Sequence, residues 1–208
     1  MLELSQIIFG VNDLDVATRR FETLGFEVLD GGVHPGAGTA NRVIPLGREY
    51  LELLGVVDRD LAAQSPYGRS LLAATAARDG LVRWSLRTDA IDQVAGRLGL
   101  DVEARRRTRP DGRELTWRAA GLDLALEDAT TPFFMQWDEP DCYPGATPAV
   151  HRNGARGVAA VTVIPNDPAQ FAQWIDGADA PVRIRDGAAP RLLNVEIDTP
   201  KGRLVIPG

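Results

Sequence analysis

One pattern occurs three times in this chain of 208 residues, and it restricts the available folds more than any single motif. The stretch "IIFGVNDLDVATRRFETLGFEVL" gives an apolar strand, an aspartate, a short helix, Leu-Gly and a new strand. "VRWSLRTDAIDQVAGRLGLDVEA" repeats that order, and "VAAVTVIPNDPAQFAQWIDGADAPVRI" is a looser third version. The corresponding aspartates Asp13, Asp89 and Asp167 are spaced by about 77 residues, longer than the periods of common solenoids. Each copy therefore reads as a small α/β module and not as a stacking repeat.

Helix periodicity supports the modules. Leu14, Ala17, Phe21 and Leu24 recur at three- and four-residue steps before Gly25, and Ile91, Val94, Ala95 and Leu98 do so before Gly99. Asp13 and Asp89 are placed to cap the first turns, and Pro168 suits a first helical position. Three strand-like runs follow each helix. They are "FEVLDGG", "ANRVIPLG" and "EYLELLGVV" in the first module, and "DVEARRRT", "RELTWRAAG" and "LDLALED" in the second. In the third they are "PVRIRDG", "RLLNVEIDT" and "GRLVIPG". The expected plan is βαβββ module 1 at 1–57, a linking helix at 58–79 and module 2 at 80–130. A Pro/Gly/aromatic connector at 131–155 then leads to module 3 at 156–208.

Charge and composition exclude several classes. A net charge of −6 and a pI near 5.0 argue against nucleic-acid or anionic-membrane partners. No apolar run approaches the roughly 20 residues of a membrane helix, and "MLELSQIIFG" lacks a basic start and a cleavage site. The single cysteine, Cys142, fits a reducing compartment, and its acidic neighbours do not make it a nucleophile. A cytoplasmic protein is expected. No G-x-S-x-G, C-x-x-C or H-E-x-x-H motif is present.

Tandem βαβββ modules resemble the vicinal oxygen chelate superfamily, which includes glyoxalases, extradiol dioxygenases and drug-resistance proteins. "FGVNDLDVATRRFETLGFEV", "GGVHPGAGTANRVIPLGREYLELLGV", "RPDGRELTWR" and "TPFFMQW" are similar to blocks of its glyoxalase-like domain branch. The resemblance implies an α+β fold in which two modules curl into a cup of mixed β-sheet, here with an additional C-terminal module. An odd module can pack outside the cup or meet a twin across a two-fold axis, so a homodimer is one expectation.

The resemblance also implies a divalent metal at the base of the cup, held by a histidine and a glutamate from each module. This chain departs from that set. Gln6 stands where the first histidine is expected, Glu52 fits the first glutamate, Arg83 replaces the second histidine, and only Asp123 or Glu127 is left for the last position. A glutamine oxygen is a weak ligand and a guanidinium is none. Strand alternation independently groups Tyr50, Glu52 and Leu54 on one face, and Arg83, Ser85 and Arg87 on one face opposite Val82, Trp84 and Leu86. A Glu52–Arg83 ion pair is expected, either as a structural bridge or with its guanidinium open to an anionic oxygen. No cofactor is expected; Zn, Mn, Fe or Ni with Glu52 as the best single ligand is the alternative.

The stretch "GGVHPGAGTANR" precedes a strand signal and lacks the helix a phosphate loop requires. It reads as the connection between the second and third strands at the rim of the cup, with His34 and Asn41 as its polar candidates. His34 is read as the proton-moving group, with Arg83 and Asn41 holding a developing oxyanion. Gln6, Asn41, Tyr50 and His151 are the substrate-binding candidates, and each also has an ordinary structural reading. Phe133, Phe134 and Trp137 read first as core packing and second as an aromatic wall. Trp84 reads as packing beneath a helix. The run Arg105, Arg106, Arg107, Arg109, Arg113 and Arg118 reads first as a solvated hairpin face, then as arginines reaching into the cup for an anion.

Two function classes with a small-molecule ligand follow. One is a glyoxalase-like lyase or isomerase working beside a carbonyl of a small anionic substrate; the other is a binding or sequestration protein without turnover. A His34 ring with a perturbed pKa pointing into the cup favours the first, and an aromatic cleft with His34 turned outward favours the second. A domain serving only as an interaction module is a third class. Elemental mass spectrometry of untagged protein should find well under one transition metal per chain; about one per chain after dialysis against chelator would restore metal-assisted chemistry.

Overall fold

The structure, a computed structural model, describes residues 1–108, 111–112, 114–139 and 143–208. Arg109, Arg113 and Cys142 of the sequence analysis lie outside the described residues. Asp13 accepts hydrogen bonds from the amides of Asp15 and Val16, both at 2.9 Å, and so starts α1 (Leu14–Thr23). Asp167 does the same for α6 (Pro168–Trp174) through Ala169 and Gln170. Asp89 does not act as a cap. Helix α4 (Ile91–Leu98) starts one residue too late for it, and the Ile91 amide donates instead to Gln136 Oε1 at 3.0 Å.

Module 1 is β1 (Leu2–Val11), α1, β2 (Leu29–His34), β3 (Thr39–Pro45) and β4 (Tyr50–Val56). The link is two helices, α2 (Arg59–Gln64) and α3 (Pro66–Thr75), because Ser65 before Pro66 is extended and caps the second. Module 2 is β5 (Gly80–Arg87), α4, β6 (Val102–Thr108), β7 (Glu114–Ala120), α5 (Leu122–Glu127) and β8 (Phe133–Trp137). Its last strand therefore comes from the stretch expected to be connector, and "LDLALED" is not a strand. Left-handed Gly121 (φ +74°) turns the chain into α5, which buries Ala125 and leaves Leu124 on the surface. The alternation of apolar and acidic residues there mimicked a period of two.

The two modules close into one ring of eight strands, in the order β1-β4-β3-β2-β6-β7-β8-β5 and back to β1. Within each module the first strand is parallel to the last, β1 to β4 and β5 to β8. The modules join along a long antiparallel β1–β5 seam and along a β2–β6 seam in which Val33 pairs with Thr108.

The third module shares the rhythm of the other two but not their topology. It comprises β9 (Gly157–Ile164), α6, β10 (Ala178–Asp179), β11 (Val182–Ile184), β12 (Arg191–Thr199) and β13 (Gly202–Pro207). Its sheet runs β11-β9-β12-β13, so its first strand is internal, while β10 leaves that sheet and pairs parallel with the start of β1. It packs on the outside of the ring. The Trp84 ring meets Phe171 at 6.0 Å and Phe134 meets Trp174 at 5.5 Å. Trp84 Nε1 also donates to the Thr130 carbonyl at 2.9 Å, which satisfies its buried N–H.

The ring thus has two apolar faces. Ile7, Phe9, Leu51, Leu53 and Trp84 face outward to helices and the sheet of the third module, while Ile8, Leu54, Val82 and Phe133 face the interior. Val82 departs from the expected alternation. The β1–β5 register passes from Ile8↔Arg83 to Phe9↔Leu81, so Val82 is the extra residue of a bulge and turns inward beside Arg83. No described helix is long and apolar enough to cross a membrane.

Truncating Phe171 should show that the third module shares the core of the ring. Phe171→Ala should cost about 3–5 kcal/mol in denaturant titrations. A loss below about 1 kcal/mol would mean that the module packs independently.

Candidate functional site

The interior of the ring opens into a cavity of about 280 Å³. Its polar floor comes from module 1. A bulge at Ser5, between the pairs Leu4↔Leu86 and Gln6↔Ser85, sends Leu4 outward and Gln6 inward. Tyr50 and Glu52 point inward from β4, as alternation requires, and Tyr50 lies beside Gln6 in register and donates its hydroxyl to Gln6 Oε1. Asn41 reaches in from β3 and His34 from the end of β2.

Glycine makes room for this floor. A Cβ on Gly31 would lie 2.0 Å from Asn41 Oδ1, so this bulged position in β2 lets the amide cross the strand. Gly38, at φ +66°, closes the rim turn, and a Cβ there would meet Asp58 O and Ala62 N at 2.4 Å, where α2 docks.

Module 2 supplies the wall and the cation. Phe133, Met135 and Trp137 of β8 line the cavity together with Trp117 of β7, and Tyr67 of α3 covers it. The aromatic stretch divides between two jobs: Phe133 and Trp137 form wall, and Phe134 packs outward. From the basic hairpin, Arg107 is buried at 4% exposure and donates from Nη1 to Asn41 Oδ1 at 2.8 Å. Asn41 Nδ2 donates in turn to Glu52 Oε1 at 2.8 Å. The chain Arg107–Asn41–Glu52 fixes the amide orientation and connects a cation and an anion through a neutral group. Arg105 and Arg106 also border the cavity while pairing with Glu103 and Glu114.

The expected Glu52–Arg83 ion pair does not form among the described residues. Arg83 is 1% exposed and lies behind Tyr67, its guanidinium 4.8 Å from the centre of that ring. Nη2 donates to Ser70 Oγ at 3.2 Å, and Nη1 has no well-placed acceptor among the described residues. The bulge at Val82 and the α3 helix together direct it there, so the cation linked to Glu52 through Asn41 is Arg107, which the sequence reading had held as a second choice within the basic run. Alternation had put Arg107 opposite Arg106; only closure of the ring shows that its face is the inside.

His151 also lies elsewhere. Its Nδ1 accepts from the Glu27 amide at 3.0 Å, so Nε2 carries the proton and donates to the Pro45 carbonyl at 2.6 Å. Both ring nitrogens are used in stitching the connector to the outside of module 1. His34, by contrast, faces the cavity. Its Nδ1 is 3.0 Å from Thr39 Oγ1, its ring meets Tyr67 edge-on at 5.8 Å, and its Nε2 is 3.9 Å from Glu52 Oε1.

Burial dominates the electrostatics. His34 is held down to a pKa of about 4 by desolvation and by Arg107, so its imidazole is neutral at pH 7. Glu52 is pushed up by burial, against the pull of Arg107, the Asn41 hydrogen bond and Arg83. Tyr50 is raised by burial and then by Glu52. The cavity therefore holds an acid and a base whose ordinary values have been moved in opposite directions.

The donor set does not fit a resident divalent metal. Gln6 is occupied by Tyr50, Glu52 by Asn41, and Arg83 brings a positive charge. The inward residues of β8 are Phe133, Met135 and Trp137, while Asp123 and Glu127 are exposed on α5. Among the described residues no three His, Cys, Asp or Glu side chains cluster as metal ligands.

The paired modules closed into one ring are the arrangement that the sequence pattern led us to expect, and the family comparison agrees. The glyoxalase-like domain family matches residues 7–178. The chain belongs to that family. Its members share the vicinal oxygen chelate plan of tandem modules, and the matched residues run into the third module of this glyoxalase-like chain. A hypothetical protein from Staphylococcus aureus has a similar structure, with a TM-score of 0.72 and 19% identity over 94% of this chain and 90% of that one. A methylmalonyl-CoA epimerase from Mycobacterium tuberculosis aligns at a TM-score of 0.43 and 16% identity, over 64% of this chain and 85% of that one. A 4-hydroxymandelate synthase variant from Streptomyces coelicolor aligns at 0.49 and 13%, over 99% and 62%. No curated protein matches the chain closely.

The depressed His34 pKa has a measurable consequence. Between pH 6.5 and about 4 the unfolded chain takes up a proton that the folded His34 refuses. Stability from this group is therefore full above the upper limit and is lost as pH falls, by on the order of 3 kcal/mol. Glu52, with its raised pKa, acts with the opposite sign, so the difference between wild type and His34→Gln isolates the imidazole. Denaturant titrations across this range should show a shallower acid loss in the variant; parallel curves would mean that His34 titrates normally.

Proposed function

We propose that the cavity is the active site of a proton-transfer enzyme, an isomerase or lyase working beside the carbonyl of a small anionic substrate without a resident metal. The observation that carries this reading is Glu52: a buried carboxylate with a raised pKa, held by Asn41 at 2.8 Å and faced by the neutral imidazole of His34 at 3.9 Å. A general base works best with a pKa near the working pH. Glu52 is moved toward that range and His34 away from it, so Glu52 takes the proton and His34 serves as a neutral hydrogen-bonding partner.

In this scheme Glu52 removes the proton from the carbon next to the carbonyl. The electron pair of that bond moves to the carbonyl oxygen, which becomes an enolate beside the Arg107 guanidinium. With an α-hydroxycarbonyl substrate, passage of the hydroxyl proton to that oxygen lets the abstracted proton return to the former carbonyl carbon and completes an isomerisation; departure of a β-substituent with its bonding electrons completes an elimination instead. Arg107 takes the anion-holding role that the sequence reading gave first to Arg83 with Asn41 and second to arginines of the basic run.

The aromatic wall of Trp117, Phe133 and Trp137 favours a second reading, sequestration of a ligand without turnover. The inward, pKa-shifted His34 weighs against it. Incubation in D₂O with a panel of α-hydroxycarbonyl compounds and small oxo acids, followed by proton NMR, separates the two. Wild type should exchange the hydrogen next to the carbonyl, and Glu52→Gln should slow this by about 100-fold or more. Binding with no exchange would support sequestration, and exchange that survives Glu52→Gln would remove Glu52 as the base.

A further inference from the structure

The division of the cavity into a polar and an apolar side says what sort of molecule fills it. Its polar groups sit on one side, where Glu52, Asn41 and Arg107 are linked. The opposite side is a continuous apolar surface of Trp117, Trp137, Phe133 and Met135, with Leu122 at its edge. We infer that the ligand is a compact aromatic carboxylate, its ring lying on the Trp117–Trp137 wall and its acid group directed to Arg107. This rests on the reading of the cavity as the ligand site, but not on whether turnover follows.

Several independent features converge on that class. Three arginines border the cavity against one carboxylate, and the carboxylates paired with Arg105 and Arg106 lie on the exposed surface. Cationic side chains thus outnumber carboxylates in the described lining, which suits an anionic group. Arg107 is almost fully buried, and a guanidinium presents its donors in the planar fork that suits a carboxylate. The Trp117 and Trp137 rings lie 5.2 Å apart at 45°, which leaves a broken aromatic surface for a third ring to stack or meet edge-on. Trp137 is 9% exposed and its indole Nε1 has no acceptor among the described residues, so the wall also holds one unmatched donor.

Size narrows the class further. About 280 Å³ is near the lower end of small-molecule sites, which run from roughly 300 to 1,000 Å³. One ring with a short acid arm fits that space, whereas a nucleotide or a long acyl chain does not. Tyr67 then covers the ring from above, backed by the buried Arg83 guanidinium.

The test uses the full chain with benzoate, phenylacetate, benzamide, cyclohexanecarboxylate and acetate as probes, read by calorimetry and by quenching of tryptophan fluorescence. Phenylacetate or benzoate should bind at least about tenfold more tightly than benzamide, which lacks the charge, and than acetate, which lacks the ring. Arg107→Gln should remove most of the preference for acid over amide. Trp117→Leu should reduce the preference for the aromatic acid over the cyclohexane acid while keeping acid binding. Arg107→Lys, which keeps the charge and loses the fork, should fall between wild type and Arg107→Gln, and a thermal melt of each variant separates lost binding from lost folding. Equal binding of acid and amide, an Arg107→Gln variant that binds like wild type, or no binding of any aromatic acid would each overturn the proposal. Aromatic-acid binding by wild type with no hydrogen exchange on any compound of the D₂O panel would sink the proton-transfer reading and leave the ligand class standing. Exchange that requires Glu52 on non-aromatic acids alone would do the reverse.

Discussion

The line from Arg107 through Asn41 to Glu52 crosses the weaker of the two joints between the modules, and the site depends on it. The ladder there is thin, with Val33 opposite Thr108, the residue after Arg107. Two buried charges at such a place are costly unless each is hydrogen-bonded, and removing one partner of a buried pair typically costs about 3–5 kcal/mol. Asn41 answers both charges at once, accepting from the cation and donating to the anion. Its position requires Gly31 to have no side chain. Joint, charge balance and buried carboxylate are therefore one arrangement.

The ring is apolar on both faces, and this shapes the rest of the molecule. Outward residues such as Phe9, Leu53 and Trp84 must be covered, and the helices of the two modules cover only part of them. The third module supplies the remainder through Phe171, Trp174 and the strands behind them. Its sheet order differs from that of the first two modules because its task is different: it presents a face to an existing ring and does not close one. The surface left open by an odd number of modules is in this way used within the chain.

Inside the ring, burial shifts the titrating groups. Desolvation opposes the charged form of every group, so it raises Glu52 and lowers His34. The pair ends with a carboxylate able to take up a proton and an imidazole that stays neutral. Neither shift needs a metal ion; Arg107 opposes the first and adds to the second.

Much of this was legible in the sequence. Helix caps at Asp13 and Asp167, the glycine turn at the rim, the inward face of β4 and the βαβββ order of the first module follow from local rules, since capping, turn chemistry and strand alternation act over a few residues. Where the sequence misled, a longer-range fact had intervened. A bulge at Val82 shifted the face of β5, α5 used an alternating run as a helix, and β8 was drawn from a stretch that looked irregular. His151 matched a motif position but spends both nitrogens on backbone groups, which no motif reveals. Alternation alone put Arg107 on a face, yet whether that face was solvent or cavity depended on closing eight strands into a ring. Residue type and spacing determined the modules and the candidate carboxylate; pairing register and ring closure decided which arginine that carboxylate meets, because burial and charge balance exist only once distant strands are neighbours.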